Sequence, residues 1–433
     1  MKSGAALLLA LGATALVASG AEPWTLERAL GFALTNSPDA RIAVQRVVAA
    51  QAGLEQANSA FWPRASFLSG YTRTDNPMLS FGNILNQRSY SPAINFNDVP
   101  GTDNLNVRGL LTVPVYTGGK ITADQRAAQA GNAAARQDAE AVRQALAGEV
   151  ARAFFIVQKT RQFISAAAAA VTSYETNAAL ARQRFDAGTA LRADVLDLEV
   201  RLAQAQEDLV RARNANALAR RALQNLLGLE DQDFSVADSA PPLTAPAATT
   251  LASRPEFLAA AERARAAESQ VRSAKSGYLP RVSAFGSLDY DHGWALNGDG
   301  KSYTAGALLQ WDLWDGRLTR AKVSEARANF ETAREQERKV RLAVNLEAEQ
   351  ARLELEQAKQ RLQVGEKTVA QAEESLALTG HRFAQGLALS TQLIEAQTAL
   401  TSARVRRADA EADVQIATAA LRKALGMPIL ETK

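Results

Sequence analysis

Few residue types in this chain can do covalent or metal chemistry. There is no cysteine, and His292 and His381 are the only histidines. Disulfides, Cys-ligated zinc, iron–sulfur clusters and thiol nucleophiles are therefore excluded. The histidines have no companions at metal-ligand spacing, and no nucleophile and base recur at matching positions, so neither a cofactor nor an enzymatic role is expected. Gly298-Asp299-Gly300-Lys301-Ser302 looks like the end of a phosphate loop, but Ala295 stands where its first glycine belongs. That motif also needs a strand, a loop and a helix in order, and this segment reads as a link between strands. What remains is a pair of carboxylate positions beside two glycines. Asp194 and Asp197 follow Gly188 at i and i+3, on one helix face, with Glu199 further round; Gln392 and Glu395 hold the matching places after Gly386. Such carboxylates either draw cations into a pore or complement the positive end of a helix. The glycines sit where an αα-hairpin needs positive φ, in Phe185-Asp186-Ala187-Gly188-Thr189-Ala190-Leu191 and Phe383-Ala384-Gln385-Gly386-Leu387-Ala388-Leu389. An exposed tip of small residues is a docking surface.

The elements that position these tips follow from punctuation and period. The chain of 433 residues has 13 prolines, none of them between Pro114 and Pro241 or between Pro280 and Pro428. Proline is rare inside long helices, so both spans read as helical. Gly119, Gly188 and Gly228 in the first span mirror Gly316, Gly386 and Gly426 in the second. Ala60-Phe61-Trp62-Pro63-Arg64-Ala65-Ser66 matches Gly277-Tyr278-Leu279-Pro280-Arg281-Val282-Ser283, and Arg184-Phe185-Asp186-Ala187-Gly188 matches Arg382-Phe383-Ala384-Gln385-Gly386. The chain is thus one unit written twice, with about 19 extra residues between Pro63 and Gly119 that form a longer loop in the first copy. Each unit is a helix, a strand pair, a very long helix, a tight turn and a returning helix. The predicted long helices, 119–186 and 316–384, are rods of about 100 Å. The returning helices, 190–228 and 389–425, carry heptad stripes: Leu191, Val195, Leu198, Leu202, Ala205, Leu209, Ala212, Asn216, Ala219, Leu223 and Leu226, then Leu389, Leu393, Ala396, Leu400 and Ala403. Alanine at many seam positions lets helix axes approach closely.

The windows 61–116 and 278–314 are about a fifth of the chain yet hold more than half of its aromatics. Leu105, Val107, Gly109, Leu111, Val113 and Val115 alternate with polar residues, as do Tyr303, Ala305, Ala307, Leu309, Trp311 and Leu313. A period of two over about ten residues, with aromatics near the ends, fits transmembrane β-strands. Strands are predicted at about 64–74, 105–116, 281–290 and 302–313. Four strands cannot close a barrel, so their edges must pair with other copies of the chain. At the N-terminus, Lys2, the apolar run Ala5 to Val17 and the small residues Ala18 to Ala21 read as a signal peptide over 1–21, cleaved after Gly20 or Ala21. No run of about 18 apolar residues follows, which rules out a helical membrane protein and leaves a β-barrel. With 49 Lys+Arg against 46 Asp+Glu, a net charge of +3 leaves no basic field for nucleic acid. The resulting organisation is a first repeat over 22–230, a Pro/Ala/Thr linker over 231–253 packed around the waist, a second repeat over 254–427 and a tail over 428–433. A soluble periplasmic coiled-coil scaffold or adaptor without a pore is the competing reading; it requires the strands to form a soluble domain.

In order along the chain stand Thr25-Leu26-Glu27-Arg28-Ala29-Leu30, Asn36-Ser37-Pro38, Trp62-Pro63-Arg64, the strand exits Val113-Pro114-Val115-Tyr116-Thr117-Gly118-Gly119 and Trp311-Asp312-Leu313-Trp314-Asp315-Gly316, and the turns at Gly188 and Gly386. In these the sequence resembles the TolC-like outer membrane efflux proteins. The resemblance implies a mainly α fold with a transmembrane β part, in a homotrimer whose twelve-stranded outer-membrane barrel continues as a twelve-helix periplasmic coiled-coil tunnel. It also implies passive conduction from an inner-membrane transporter, through a periplasmic adaptor, to the exterior, for tripartite efflux or type I secretion. Gly188, Thr189, Leu191, Gly386, Leu387 and Leu389 would meet the adaptor. Asp194, Asp197, Gln392 and Glu395 would sit at the constricted entrance, Glu395 as a ring. The family's closing link uses a tyrosine and an arginine; Phe383 and Ala388 occupy those places here, so closure is expected to rest on packing or on other pairs.

Overall fold

The computed structural model describes residues 23–95, 97–230, 234–238, 241–246 and 254–430. The expected signal peptide and much of the expected linker lie outside these residues. The first helix, α1 (Leu26–Asn36), starts where the Thr25 hydroxyl accepts from the Arg28 N–H at 3.2 Å. Pro38 opens α2 (Pro38–Ser59), where the missing N–H is no loss. The chain then runs through β1 (Arg64–Thr74), a short helix α3 (Pro77–Asn86) and β2 (Thr102–Tyr116) into α4 (Lys120–Asp186) and α5 (Arg192–Leu227). A second series follows: α6 (Pro255–Lys275), a single 3₁₀ turn, β3 (Arg281–Gly293), β4 (Gly298–Gln310), α7 (Leu318–Ala384) and α8 (Ser390–Ala424). Helices α4 and α7 have 67 residues each, about 100 Å of rod. Among the described residues, no helix is long and apolar enough to cross a membrane.

The strands form one antiparallel sheet in the order β1-β2-β3-β4. The pleat sends alternate side chains to opposite faces, and the register gives the two faces different balances of polarity. On one face lie Asn104, Asn106 and Arg108 of β2, Ser287, Asp289 and Asp291 of β3, and Ser302 and Thr304 of β4, together with Leu68, Leu110, Phe285 and Leu308. There the Arg108 Nε donates to Asp289 at 2.5 Å, and the Asn104 and Asn106 amides donate to Asp291 at 2.6 and 3.0 Å. The other face carries Phe67, Tyr71, Leu105, Val107, Leu111, Leu288, Tyr290, Tyr303 and Leu309. Of these, Phe67, Tyr71, Leu288, Tyr303 and Leu309 are well exposed. In the single chain β1 and β4 are the open edges.

The ladder departs from expectation at its ends. β2 starts at Thr102, and β3 runs on to Gly293, because the pairing continues into the hairpin turn that holds Asn297 at φ +47°. β4 is shifted, spanning Gly298–Gln310, and Trp311 and Leu313 lie outside it. The ladder stops where Arg281 meets Gln310, just after Pro280, so residues beyond 310 have no partner strand; the Trp311 indole donates to the Tyr278 carbonyl at 3.1 Å. The sequence pattern reads the segment of α3 as loop. Its start is nevertheless written locally: the Asn76 side chain accepts from the Met78 and Leu79 N–H groups at 3.0 and 3.3 Å, and Pro77 takes the first helical position.

α4 packs along α5, α7 along α8, and α8 also lies against α4 and α5; α2 and α6 flank α4. The largest core sits at the waist, where Leu26, Ala29, Leu30 and Ala33 of α1 meet Val150, Phe154 and Val157 of α4, Leu223 and Leu227 of α5, and Trp24, Phe234 and Val236. The 234–238 segment is tied in by a parallel bridge from Trp24 to Val236 and by Arg161, whose guanidinium donates to the Val236 carbonyl at 2.7 Å. Asn216, the polar break in the α5 stripe, donates to the Val157 carbonyl at 3.2 Å and to the Thr160 hydroxyl at 2.9 Å. Arg254, 2% exposed, clamps three helices. It donates to Glu256 at the start of α6 (2.9 Å), to Glu347 of α7 (2.8 Å) and to the Ala424 carbonyl closing α8 (2.8 Å). Burial pushes the Glu256 carboxyl up, but hydrogen bonds from Arg254 and the backbone, with the charges of Arg254 and Lys423, together leave the group below its ordinary value.

Candidate functional site

The two long helices end in the same way. At the first tip, the Gly188 N–H donates to the Phe185 carbonyl at 2.9 Å and the Thr189 N–H to the Arg184 carbonyl at 2.8 Å, with Gly188 at φ +75°. At the second, Gly386 and Leu387 repeat this with Phe383 and Arg382 at 2.9 and 2.8 Å, and Gly386 stands at φ +79°. A side chain at either glycine is strained, since the left-handed region crowds a Cβ. The helix starts beyond are capped alike: the Asp194 carboxylate accepts from the Leu191 N–H at 3.1 Å, and the Gln392 amide oxygen accepts from the Leu389 N–H at 3.3 Å. Leu191, Leu387 and Leu389 are exposed, as are Gly188, Thr189 and Gly386. Leu191 and Leu389 therefore fall outside the packed seams that their heptad positions predict, because each sits at a helix cap.

Within one chain the tips lie side by side. Arg184, near the end of α4, donates to the Phe383 carbonyl at 2.6 Å, and its guanidinium stands 5.5 Å from the centre of the Phe383 ring. Across from it, the Ser390 hydroxyl at the start of α8 donates to Asp194 at 2.7 Å. Beneath these contacts lies a small apolar core of Ala170, Tyr174, Ala178, Ala181, Val195, Leu198, Phe383, Leu393 and Ile394, with Ala388 against it. Phe383 is only 4% exposed. The two positions expected to lack a familiar lock are thus packed between the hairpins, beside a cation and a carboxylate that hold the tips together.

The four entrance residues separate into two kinds. Asp194 and Gln392 cap their own helices, and Asp194 also joins the tips. Asp197 and Glu395 lie one turn further on and are exposed, with no hydrogen bond or ion pair among the described residues. Glu199 pairs with Arg182 of the same hairpin, with its closest contact at 2.5 Å. His381 is exposed; His292 stands in the sheet region, its ring edge against Trp294 at 4.7 Å. No metal-binding group of three occurs among the described residues. Arg184 and Ser390 were not singled out in the sequence. Arg184 lies within the repeated Arg-Phe-x-x-Gly motif, and only its contact across the hairpins sets it apart.

The family model described as "Outer membrane efflux protein" matches residues 29–229 and 247–427. The chain belongs to this family. Membership places it in the outer membrane, in keeping with a sheet whose two faces differ in polarity. Two Pseudomonas aeruginosa proteins are related members. Outer membrane protein OprJ is 28% identical over 211 residues, 46% of this chain and 44% of its own length. The alkaline protease secretion protein AprF is 28% identical over 279 residues, 60% of this chain and 56% of its own length. The chain thus spans about half the length of these curated relatives. Among solved structures, the fold is shared with the outer membrane protein VceC of Vibrio cholerae, at a TM-score of 0.81 and 20% identity over 94% of this chain and 97% of that one. It is also shared with the outer-membrane channel OprN, at 0.80 and 21% over 93% and 89%. The CmeC outer membrane channel of Campylobacter jejuni matches at 0.80 and 16% over 93% and 85%.

Proposed function

We propose that this chain is the exit duct of a tripartite efflux or type I secretion assembly, through which substrates pass passively from an inner-membrane transporter and a periplasmic adaptor to the exterior. The observation that carries the reading is the four-stranded sheet with one polar and one apolar face and two open edges, joined to helices of 67 residues. Exposed aromatic and aliphatic side chains on one face suit lipid, and the hydrogen-bonded polar face suits a water-filled lumen. Open edges in lipid leave backbone groups unpaired, so β1 of one copy pairs with β4 of the next. Three copies close a twelve-stranded barrel, and their α4, α5, α7 and α8 helices continue it as a twelve-helix tunnel, the chain itself being a duplicated helix, hairpin, long-helix and helix unit.

The tips are the periplasmic end. Gly188, Thr189, Leu191, Gly386, Leu387 and Leu389 form the adaptor-docking surface, supported by the exposure of the three leucines. Asp197 and Glu395 face the entrance axis; Asp194 and Gln392 shape it by fixing the helix starts. The contacts Arg184–Phe383 and Asp194–Ser390 hold the entrance closed.

The test is detergent extraction of the outer-membrane fraction, mass determination and single-channel recording. A detergent-dependent trimer that conducts is expected. A water-soluble, non-conducting species would replace this reading with the periplasmic scaffold.

A further inference from the structure

The short helix α3 lies on the polar face of the sheet, not beyond its rim. The Asn83 amide donates to the Thr102 hydroxyl at 3.0 Å, and the Gln87 amide donates to the Asp103 carbonyl at 2.6 Å and to Asn104 at 3.0 Å. Three glycines of the β3–β4 hairpin form the floor under the chain that leaves the helix. A Cβ on Gly300 would stand 1.8 Å from the Asn86 carbonyl oxygen, one on Gly298 1.7 Å from the Ser89 hydroxyl, and one on Gly293 2.2 Å from the Gln87 amide. Gly300 pairs with Asp291 and Gly298 with Gly293, so all three share the polar face. Ser80, Ile84 and Gln87, on one side of the helix, are fully buried against it.

The opposite side of α3 is apolar. Met78, 78% exposed, and Leu85, 47% exposed, flank Gly82 at i, i+4 and i+7, and a Cβ on Gly82 would meet nothing. Such a stripe, with a glycine at its centre, suits close packing of helix on helix. Among the described residues nothing covers Met78 and Leu85, and the stripe faces away from the sheet, which in the proposed barrel is toward its interior. Leu68 and Leu308 are single exposed leucines on the polar face, whereas α3 presents a contiguous apolar stripe, which a water-filled lumen does not favour. What stands across that lumen is the same helix from the other copies, each held on β2, β3 and β4 of its own chain.

We infer that the α3 helices of three copies meet through Met78, Gly82 and Leu85 and form an apolar seal at the outer mouth of the barrel. The inference rests on the trimeric-barrel reading. It gives the duct a second constriction at the end opposite the tips, where dewetting between apolar side chains blocks solutes until the helices part.

The absence of native cysteine makes the test clean. Trimer mass is established first. Met78→Cys is then oxidised with copper phenanthroline, and Thr304→Cys, exposed on the polar face, reports access to the lumen through its rate of labelling by a bulky, membrane-impermeant maleimide added outside intact cells. Disulfide-linked chain pairs are expected from Met78→Cys. The Thr304→Cys thiol is expected to label at least tenfold faster when Met78→Ser and Leu85→Ser are added. A trimer with no cross-link and equal labelling rates overturns the seal and leaves the duct intact. Cross-linking without a change in labelling also overturns it, because the helices would then touch without closing the mouth. A monomer by mass overturns the barrel, and the seal with it.

Discussion

Replacing Arg184 with alanine tests whether the two tips of a chain are held together by the contacts seen between them. The substitution removes one guanidinium hydrogen bond to the Phe383 carbonyl and one cation–π contact with the Phe383 ring. A hydrogen bond from a charged group contributes about 1.5–3 kcal/mol and a cation–π contact about 0.5–1 kcal/mol, the lower values applying where water has access. Arg184 is half-buried, which places the loss at about 2 kcal/mol per chain. That is a shift of about thirtyfold in the balance between joined and parted tips. Spin labels at Thr189→Cys and Leu387→Cys, in trimers diluted with unlabelled chains, report the separation by double electron–electron resonance. A single short distance is expected in the parent and a second, longer population in Arg184→Ala, together with more frequent openings in bilayer recordings. Arg182→Ala is the control: its pair with Glu199 lies within one hairpin and is exposed, so it is expected to change little. If Arg184→Ala leaves the distance distribution on top of the parent's, the tips are held by their apolar core and not by this cation.

The two tip glycines should respond unequally to alanine. Both are at positive φ, but a Cβ on Gly188 meets nothing while one on Gly386 stands 2.6 Å from the Arg184 guanidinium, so Gly386→Ala is expected to open the entrance more often in bilayer recordings; equal effects would sink the claim. Glu395→Gln should lower cation preference and block by divalent cations, and unchanged reversal potentials would count against its place at the axis. Arg254→Met should lower the melting temperature in detergent near pH 7, because Glu256 loses its paired cation and Glu347 keeps only Lys423. Glu256 is held below its ordinary value of 4.5, so its stabilising share is complete above that pH and fades as pH falls through the lower, folded value. The melting gap between parent and Arg254→Met should accordingly narrow as pH falls below 4.5; a constant gap would exclude this linkage.

Much of the architecture is legible in local pattern. Proline-free spans, glycines at matching spacing and heptad stripes specify long helices because each signal acts within one or two turns of the chain. Alternation specifies strands for the same reason, and a carboxylate three residues past a helix cap announces its role wherever the chain goes. Ends are less legible: β4 stops at Gln310 because its partner β3 starts at Arg281, a fact about another segment. The alternation through Trp311 and Leu313 carries no record of it. Asn76-Pro77 is a readable helix start, yet only the folded chain lays α3 across the polar face, where Gly293, Gly298 and Gly300 leave room for it. Arg184 and Ser390 carry no special spacing. They become a clasp because α4 meets α7 and α5 meets α8, segments more than 190 positions apart in the chain, over the apolar core beneath them. Sequence alone determined where the long helices, the strands and the tips fall, since those follow from short-range sterics and periodicity. The partners across the tips, the polar ladder in the sheet and the floor under α3 were decided by tertiary packing, because each depends on distant segments meeting at contact distance.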